Sequence, residues 1–462
     1  MPSAKPHFAS AVRILTKLRE RGHEAYLAGG CVRDLLLGRE PADYDVATSA
    51  TPDVVLAMFP RTFAVGAHFG VVLVAEGEGD GYLCTEVATF RSDGAYSDGR
   101  HPDEVRYTMS AAEDVQRRDF TINGLLLDAL RAADFWMDPA KLRSGVVDYV
   151  GGLADLDGGI IRAIGHPDRR FQEDQLRLLR AVRFAARFNF SIDPGTHAAI
   201  RAHASRIHPR RGAVSRERVR DELTKMLTEG HARRAFELLD ETGLLAEVLP
   251  EVARMKGVAQ PPQFHPEGDV WVHTLLLLDQ LPPDSPLTLA WGALLHDVGK
   301  PPTFRVAPDR IRFDGHVEVG VAMGADICSR FRFSNEETSM ILALIENHMR
   351  FADAPRMKDS TLKRFFRLEN FDQHLALHRM DCLAAHGNLD IYDFVRERYE
   401  STPEEVVRPK LLLSGRELIA AGYEPGPQFQ HMLRTVEDAQ LEGFIATPIE
   451  AMALVRERFP QT

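Results

Sequence analysis

Gly29-Gly30-Cys31-Val32-Arg33-Asp34, with Asp43-Tyr44-Asp45 following nine residues beyond Asp34, is the stretch from which the rest can be read. The two glycines lie between a predicted strand, Glu24–Ala28, and a predicted helix, Val32–Leu37, closed by Gly38. Without side chains, Gly29 and Gly30 let backbone N–H groups come close to a phosphate at the positive end of that helix. Arg33 adds a charged fork for the same phosphates. On a predicted strand, Asp43–Thr48, the carboxylates of Asp43 and Asp45 are two apart and point from one face. That pattern suits Mg²⁺ ions held side by side, which would activate an attacking hydroxyl and neutralise a departing pyrophosphate. Glu86, within the predicted strand Tyr82–Phe90, is the candidate third carboxylate. Alone, a double glycine is usually a turn and Asp-x-Asp usually a cap; the ordered combination carries the reading.

The 462-residue chain is long enough for several domains, and its 44% hydrophobic and 27% charged composition excludes wholesale disorder. A formal charge of −11 argues against non-specific coating of nucleic acid. Basicity is instead local. Between Ile161 and Arg220 stand fourteen arginines, no lysine and five acids, a net +9 that reads as a phosphate-facing surface. No apolar run approaches the roughly 18 residues of a membrane span, and the first 22 residues are amphipathic, unlike a signal sequence. Cys31, Cys84, Cys328 and Cys382 lack paired spacing, which fits a reduced, cytoplasmic protein.

Residues up to about Gly152 mix strands and helices, with further strands expected at Gly70–Ala75 and a helix over Ala111–Leu130. From Asp168 onward the apolar spacing is three-and-four, as in Leu178, Val182, Ala185 and Phe188, and strands nearly vanish. Pro261, Pro262 and Pro266 precede a third, helical block reaching about Leu389, and Thr402-Pro403 opens a last helical piece.

The signature Gly29 through Thr48 resembles the nucleotidyltransferase superfamily, in the branch of bacterial CCA-adding enzymes and poly(A) polymerases. The resemblance makes Asp43 and Asp45 the metal ligands. It makes Thr89-Phe90-Arg91 with Asp93, Gly94, Tyr96, Asp98 and Arg100 the loop beside the primer end. Arg117 through Asn123 resembles the ribose-binding segment, with Arg118, Asp119 and Asn123 as nucleotide contacts, and Gly151-Gly152 with Asp155-Leu156 the hinge after the sheet. Gly124 and His101 depart from the usual alanine and arginine.

Glu173-Asp174-Gln175-Leu176-Arg177 is read as part of one helix, so that Asp174 and Arg177 share a face. A carboxylate accepts and a guanidinium donates. Cytosine and adenine each offer an amino donor beside a ring-nitrogen acceptor, whereas uracil and guanine offer the reverse. One Asp/Arg pair therefore accepts C and A, and a buried mismatch can reject the other two by ~10⁴ without a template. The competing reading is an ordinary intrahelical salt bridge. The same Glu-Asp-x-x-Arg occurs in the CCA-adding family, and Arg180 is a further contact to base or triphosphate. Ser215-Arg216-Glu217-Arg218 resembles the family's bracing helix start, Ser215 being the cap.

A second constellation comprises His273, His296-Asp297, His316, His348 and Asp381. Imidazoles and carboxylates in such a set are ligands for paired divalent metals. The series resembles the HD domain of metal-dependent phosphohydrolases. It implies a divalent metal of unspecified identity and a phosphatase or 2′,3′-cyclic phosphodiesterase site, unless the domain is purely structural.

The expectation is thus an α+β chain: a small mixed-sheet nucleotidyltransferase head (1–152), an all-α neck and body selecting the base and binding RNA (153–265), a helical HD domain (266–390) and a helical tail (391–462). Its expected activity is transfer of CMP, CMP and AMP from CTP and ATP to a tRNA 3′ end. An A-only enzyme is the nearest alternative. Poly(A) polymerase is weaker, since that branch lacks the HD block and carries a basic tail. An HD phosphohydrolase with an RNA-binding front domain is the reading from a different class.

Overall fold

The structure, a computed structural model, describes residues 6–64, 70–77, 82–93, 105–132, 138–208, 214–263 and 265–461. Gly94, Tyr96, Asp98, Arg100, His101 and Phe264 lie outside the described residues. The chain forms two compact units, Met1–Pro250 and Glu251–Thr462.

The described residues of the first unit up to Val147 form nine strands: β1 (Ala25–Ala28), β2 (Asp45–Thr48), β3 (Thr62–Phe63), β4 (Val71–Glu76), β5 (Leu83–Thr89), β6 (Arg91–Asp93), β7 (Val105–Tyr107), β8 (Leu126–Leu127) and β9 (Val146–Val147). Seven make one mixed sheet in the order β3-β4-β5-β2-β1-β8-β9, while β6 and β7 pair separately. β2 and β5 run parallel with Asp45 opposite Glu86; the other neighbours in the sheet are antiparallel. Period-two alternation buries Thr85, Val87 and Thr89 and turns Cys84 and Glu86 outward. Helix Pro6–Glu20 covers the sheet with buried Phe8, Ile14, Leu15 and Leu18.

The helix expected over Ala111–Leu130 is corrected. It stops at Gln116, is followed by a short 3-10 turn, Thr121–Asn123, and gives way to β8. The competing partners are visible. The Asp119 carboxylate accepts the Phe120 N–H at 2.8 Å, and the Thr121 N–H donates to the Arg162 carbonyl at 2.9 Å. Once those donors are taken by non-helical acceptors, the helix cannot propagate.

Glu173 to Arg177 is also not one helix. Helix Pro167–Glu173 ends at Asp174, which is extended (φ −140°, ψ 107°), and a new helix, Leu176–Phe188, begins. The Asp174 side chain accepts the Leu176 N–H at 3.0 Å, an Asx turn that competes with helix continuation. Along Leu176–Phe188 the apolar residues Leu178, Leu179, Val182 and Ala185 are buried, while Arg177, Arg180 and Arg187 recur at three- to seven-residue intervals on another side. Two-residue strands β10 (Ile160–Ile161) and β11 (Ser191–Ile192) clip this helix's two flanks together in parallel.

The second unit is helical apart from a small hairpin, β12 (Arg305–Val306) with β13 (Ile311–Arg312). Helices Val270–Asp279, Leu287–Leu295, His316–Phe331, Asn335–Asn347 and Phe371–Ala384 pack around its centre. Ser334 and Glu337 close a capping box at the start of Asn335–Asn347. Gly299 permits the closest approach: a Cβ there would stand 2.0 Å from the His316 carbonyl oxygen. Any side chain at 299 would thus push away the helix that carries His316.

Candidate active site

In the first unit a cavity of about 560 Å³ is lined by Gly29, Gly30, Asp43 and Asp45 on the sheet side. Arg118, Asp119, Asn123, Asp174, Arg177 and Arg180 line its remaining walls. The structure therefore brings together every nucleotide-site residue read from sequence except Glu86, which stands beside Asp45 in the strand register. Asp43 is exposed and Asp45 half-buried. Burial, then the Glu86 and Asp43 carboxylates, push the Asp45 carboxyl up to about 6. A buried carboxylate crowded by two neighbouring acids is a donor set that a divalent cation would relieve, so Asp43, Asp45 and Glu86 fit the expected metal.

Two expectations change in detail. Gly29 has φ 75°, a conformation that favours glycine, and a Cβ there would also displace the tip of Arg118, whose Nη1 would stand 2.9 Å away. Its N–H, however, donates to the Leu125 carbonyl at 3.0 Å and is not free for a phosphate. The Arg33 fork is likewise engaged: Nε donates to Asp34 at 2.8 Å and Nη1 to the Asn123 amide oxygen at 2.5 Å. Its guanidinium also sits 5.1 and 4.6 Å from the rings of Phe184 and Phe188. Arg33 is one wall of the cavity and ties the glycine turn to the arginine helix.

Asp119 accepts from Arg180 Nε at 2.8 Å and from the Asn123 amide at 3.0 Å. Burial opposes its ionisation, but Arg180 and Asn123 outweigh that and hold its carboxyl well below the usual range. The folded pKa is thus depressed. This contact stabilises fully above the unfolded value of about 3.9 and loses its effect as pH falls towards the folded value. Asp119→Asn is expected to cost on the order of 2 kcal/mol at pH 7. In urea melts from pH 7 to pH 2 the gap to wild type should close below about pH 4; a gap independent of pH would refute the assignment.

Asp174 and Arg177 face the same cavity but are not paired with each other as the intrahelical reading would have it. Asp174 Oδ2 is 3.0 Å from Arg218 Nη2. Arg177 reaches Glu173 at 2.7 Å and donates to the carbonyls of Arg170 and Arg117, each at 3.0 Å. Ser215 caps the helix Arg216–Thr228 that carries Arg218, and buried Glu222 of that helix accepts from Arg183 at 2.7 Å. Arg183, Arg187 and Arg218 are cavity-lining cations that motif reading did not assign to the nucleotide; the all-arginine composition was the signal for the first two, and Arg218 stood in a motif read only as a brace.

The second unit gathers all six residues named from its sequence. His273 Nε2 is 3.0 Å from Asp381 and 3.9 Å from Asp297, and His296 Nε2 is 3.2 Å from Asp297. His348 and His316 approach the other Asp297 oxygen at 3.7 and 4.0 Å. Each of these imidazoles has its Nδ1 tied elsewhere: His296, His316 and His348 to backbone carbonyls, and His273 to Glu267 at 2.7 Å. All four Nε2 atoms are buried and none makes a well-aligned hydrogen bond, although those of His273 and His296 have a carboxylate oxygen within 3.2 Å. Oriented imidazoles with vacant nitrogens converging on carboxylates are what divalent metal ions need, and the residues fit them. Two of the ligand groups are His273–His296–Asp381 and Asp297–His316–His348. Sequence reasoning gave no role to Glu267 or to Lys300, whose Nζ lies 2.7 Å from Asp297; both act through contacts that spacing alone does not reveal. A cavity of about 460 Å³ opens beside Asp297, His316, His348 and Asp381, with Lys300, Arg310 and Arg312 on its wall.

A mixed-sheet head with paired carboxylates over an arginine-lined cavity defines a nucleotidyltransferase of the poly(A) polymerase type, here joined to a metal-site helical unit. Residues 25–162 match the poly(A) polymerase head domain, 189–256 the "probable RNA and SrmB-binding site of polymerase A", and 269–384 the HD domain. The CCA-adding enzyme of Streptococcus pyogenes serotype M4 is 32% identical over 466 residues, covering 99% of this chain and 98% of its own. The chain belongs to the family of CCA-adding enzymes. That of Lactobacillus johnsonii is 38% identical over 281 residues, a match covering 60% of this chain and 65% of the relative's length. The crystal structure of the Bacillus stearothermophilus enzyme in complex with CTP superposes with a TM-score of 0.72 at 27% identity, covering 98% of this chain and 99% of that one. Among the described residues no helix is long and apolar enough to cross a membrane.

Proposed function

We propose that this chain transfers CMP, CMP and AMP in turn from CTP and ATP to the 3′ end of tRNA in the cytoplasm, with 1–152 as catalytic head, 153–265 as base-selecting and RNA-binding body, 266–390 as metal-bearing helical domain and 391–462 as tail. One observation carries the proposal: Asp43 and Asp45 share a single cavity with Asp174, Arg177 and a wall of arginines. Asp43, Asp45 and Glu86 would hold Mg²⁺, which when bound supplies charge neutralisation and a more acidic primer hydroxyl. The chain itself supplies position. Arg180, Arg183, Arg187 and Arg218 give the triphosphate a fixed positive surface, and Arg118, Asp119 and Asn123 form the wall where a ribose would rest. Asp174 accepts from the exocyclic amine of C or A, while Arg177 donates to the neighbouring ring nitrogen. U and G meet like groups and lose both bonds. Reading a base requires Asp174 to loosen from Arg218 and Arg177 to turn from Glu173, so both readers exchange an ion pair for the base. Binding of CTP by the Bacillus stearothermophilus relative supports the nucleotide assignment.

The test is incorporation into tRNA ending before the first C, before the second C and before A, each nucleotide offered alone. Extension of all three by the matching nucleotide is expected. Extension of the last alone would mean an A-adding enzyme, and incorporation with none would end the proposal. The four buried imidazole nitrogens turned towards Asp297 and Asp381 favour a second reading for the other unit, a metal-dependent phosphohydrolase for phosphomonoesters or cyclic phosphodiesters. There Lys300, Arg310 and Arg312 would hold the phosphate.

A further inference from the structure

We infer that Asp114 is a positioning residue for base selection, because it fixes the turn of main chain on which Arg177 rests. The inference depends on Asp174 and Arg177 being the base readers. Asp114 is 1% exposed, in the last turn of helix Ala111–Gln116. Its Oδ1 accepts from Arg117 Nε at 2.9 Å and lies 2.8 Å from Arg117 Nη2. The same oxygen accepts the Arg91 backbone N–H at 3.3 Å, and Oδ2 takes Arg118 Nη2 at 3.0 Å. Two adjacent guanidiniums are thereby folded back over one helical turn.

Carbonyls at a helix C-terminus have no intrahelical donor and need one from elsewhere. Arg117 caps this helix, and its carbonyl accepts Arg177 Nη2 at 3.0 Å, sixty residues along the chain. Nη2 of the Arg177 guanidinium is held by this carbonyl; Nη1 is held by the Arg170 carbonyl at 3.0 Å and by Glu173, which must release it when a base binds. The Arg117 carbonyl, like that of Arg170 on the other nitrogen, is thus a contact free to stay in place throughout, and it fixes the Nη2 edge and so where the remaining donors point. The side chain of Arg117 is locked on Asp114, so the peptide that carries the carbonyl is locked with it. An acid that supported only the fold would affect every nucleotide alike. An acid that aims Arg177 changes the ratio among them.

The experiment is single-nucleotide kinetics on trimmed tRNA with all four nucleotides, for wild type, Asp114→Asn, Asp114→Glu, Arg117→Ala and Arg177→Ala, with melting temperature recorded for each. Asp114→Asn is expected to lower the preference for C over U, and for A over G, by about 10- to 100-fold, the scale of a misplaced catalytic contact. Asp114→Glu should recover part of it. Arg117→Ala, which frees the same turn yet keeps Asp114 paired with Arg118, should move the preference in the same direction. A folded Asp114→Asn enzyme with unchanged preference, or with an equal loss for all four nucleotides, overturns the inference. If that variant does not fold, unchanged preference in Arg117→Ala overturns it. Retained preference in Arg177→Ala would instead bring down the reader assignment itself, and this inference with it.

Discussion

Asp45→Asn is expected to reduce both C and A incorporation by on the order of 10³-fold or more while leaving tRNA affinity unchanged, because positioning and charge neutralisation carry phosphoryl transfer. The same substitution should stabilise the metal-free protein. The folded pKa of Asp45 is raised to about 6 by burial and by Glu86 and Asp43. Its ionised form therefore disfavours the folded state, progressively so from about pH 4 and fully above its folded value. Relief of that cost, ~3 kcal/mol at pH 7 by the linkage relation, should appear as a higher melting temperature in chelator, absent at pH 4. Added Mg²⁺ should stabilise wild type and not the variant. Incorporation that survives Asp45→Asn would remove the catalytic assignment, and a melting temperature lowered at pH 7 would remove the electrostatic one.

The second large effect is expected at Asp297. This carboxylate is 2% exposed, and four imidazoles and the Lys300 ammonium surround it. Asp297→Asn keeps the volume and removes the charge. Elemental analysis of the dialysed full chain should show the loss of tightly bound metal from the second unit, and unfolding should cost ~3 kcal/mol less, since Lys300 is left buried without its partner carboxylate. Nucleotide incorporation should persist, because the residues assigned to it all lie in the first unit. Metal retained at the wild-type ratio would show that Asp297 is not a ligand.

Both clusters were legible in sequence for the same reason: each contains a short-range pair of metal-ligand residue types, Asp43 with Asp45 and His296 with Asp297, and the structure brings each pair together with the other residues named beside it. Other features were hidden because they depend on who captures a hydrogen bond. Ala111–Leu130 carries a helical apolar pattern, yet Asp119 and the Arg162 carbonyl take the donors that helix growth needs. Asp174 and Arg177 have helical spacing, but the Asp174 side chain claims the Leu176 N–H and splits the helix there. The arginine-rich stretch foretold a cationic surface. It could not foretell that Arg33, from the glycine turn, would lie against Phe184 and Phe188. Glu267 is six residues before His273, on a loop whose path decides whether the two meet.

The parallel register of β2 and β5 bears on how this family's head can change length. Asp45 faces Glu86 through a pairing that repeats every second residue. Sliding β5 by a single position would send Glu86 to the opposite face and bring Val87, fully covered now, out beside the acids. A one-residue insertion between residues 49 and 82 cannot therefore be absorbed by slippage of the strand without unpairing Asp45 from Glu86.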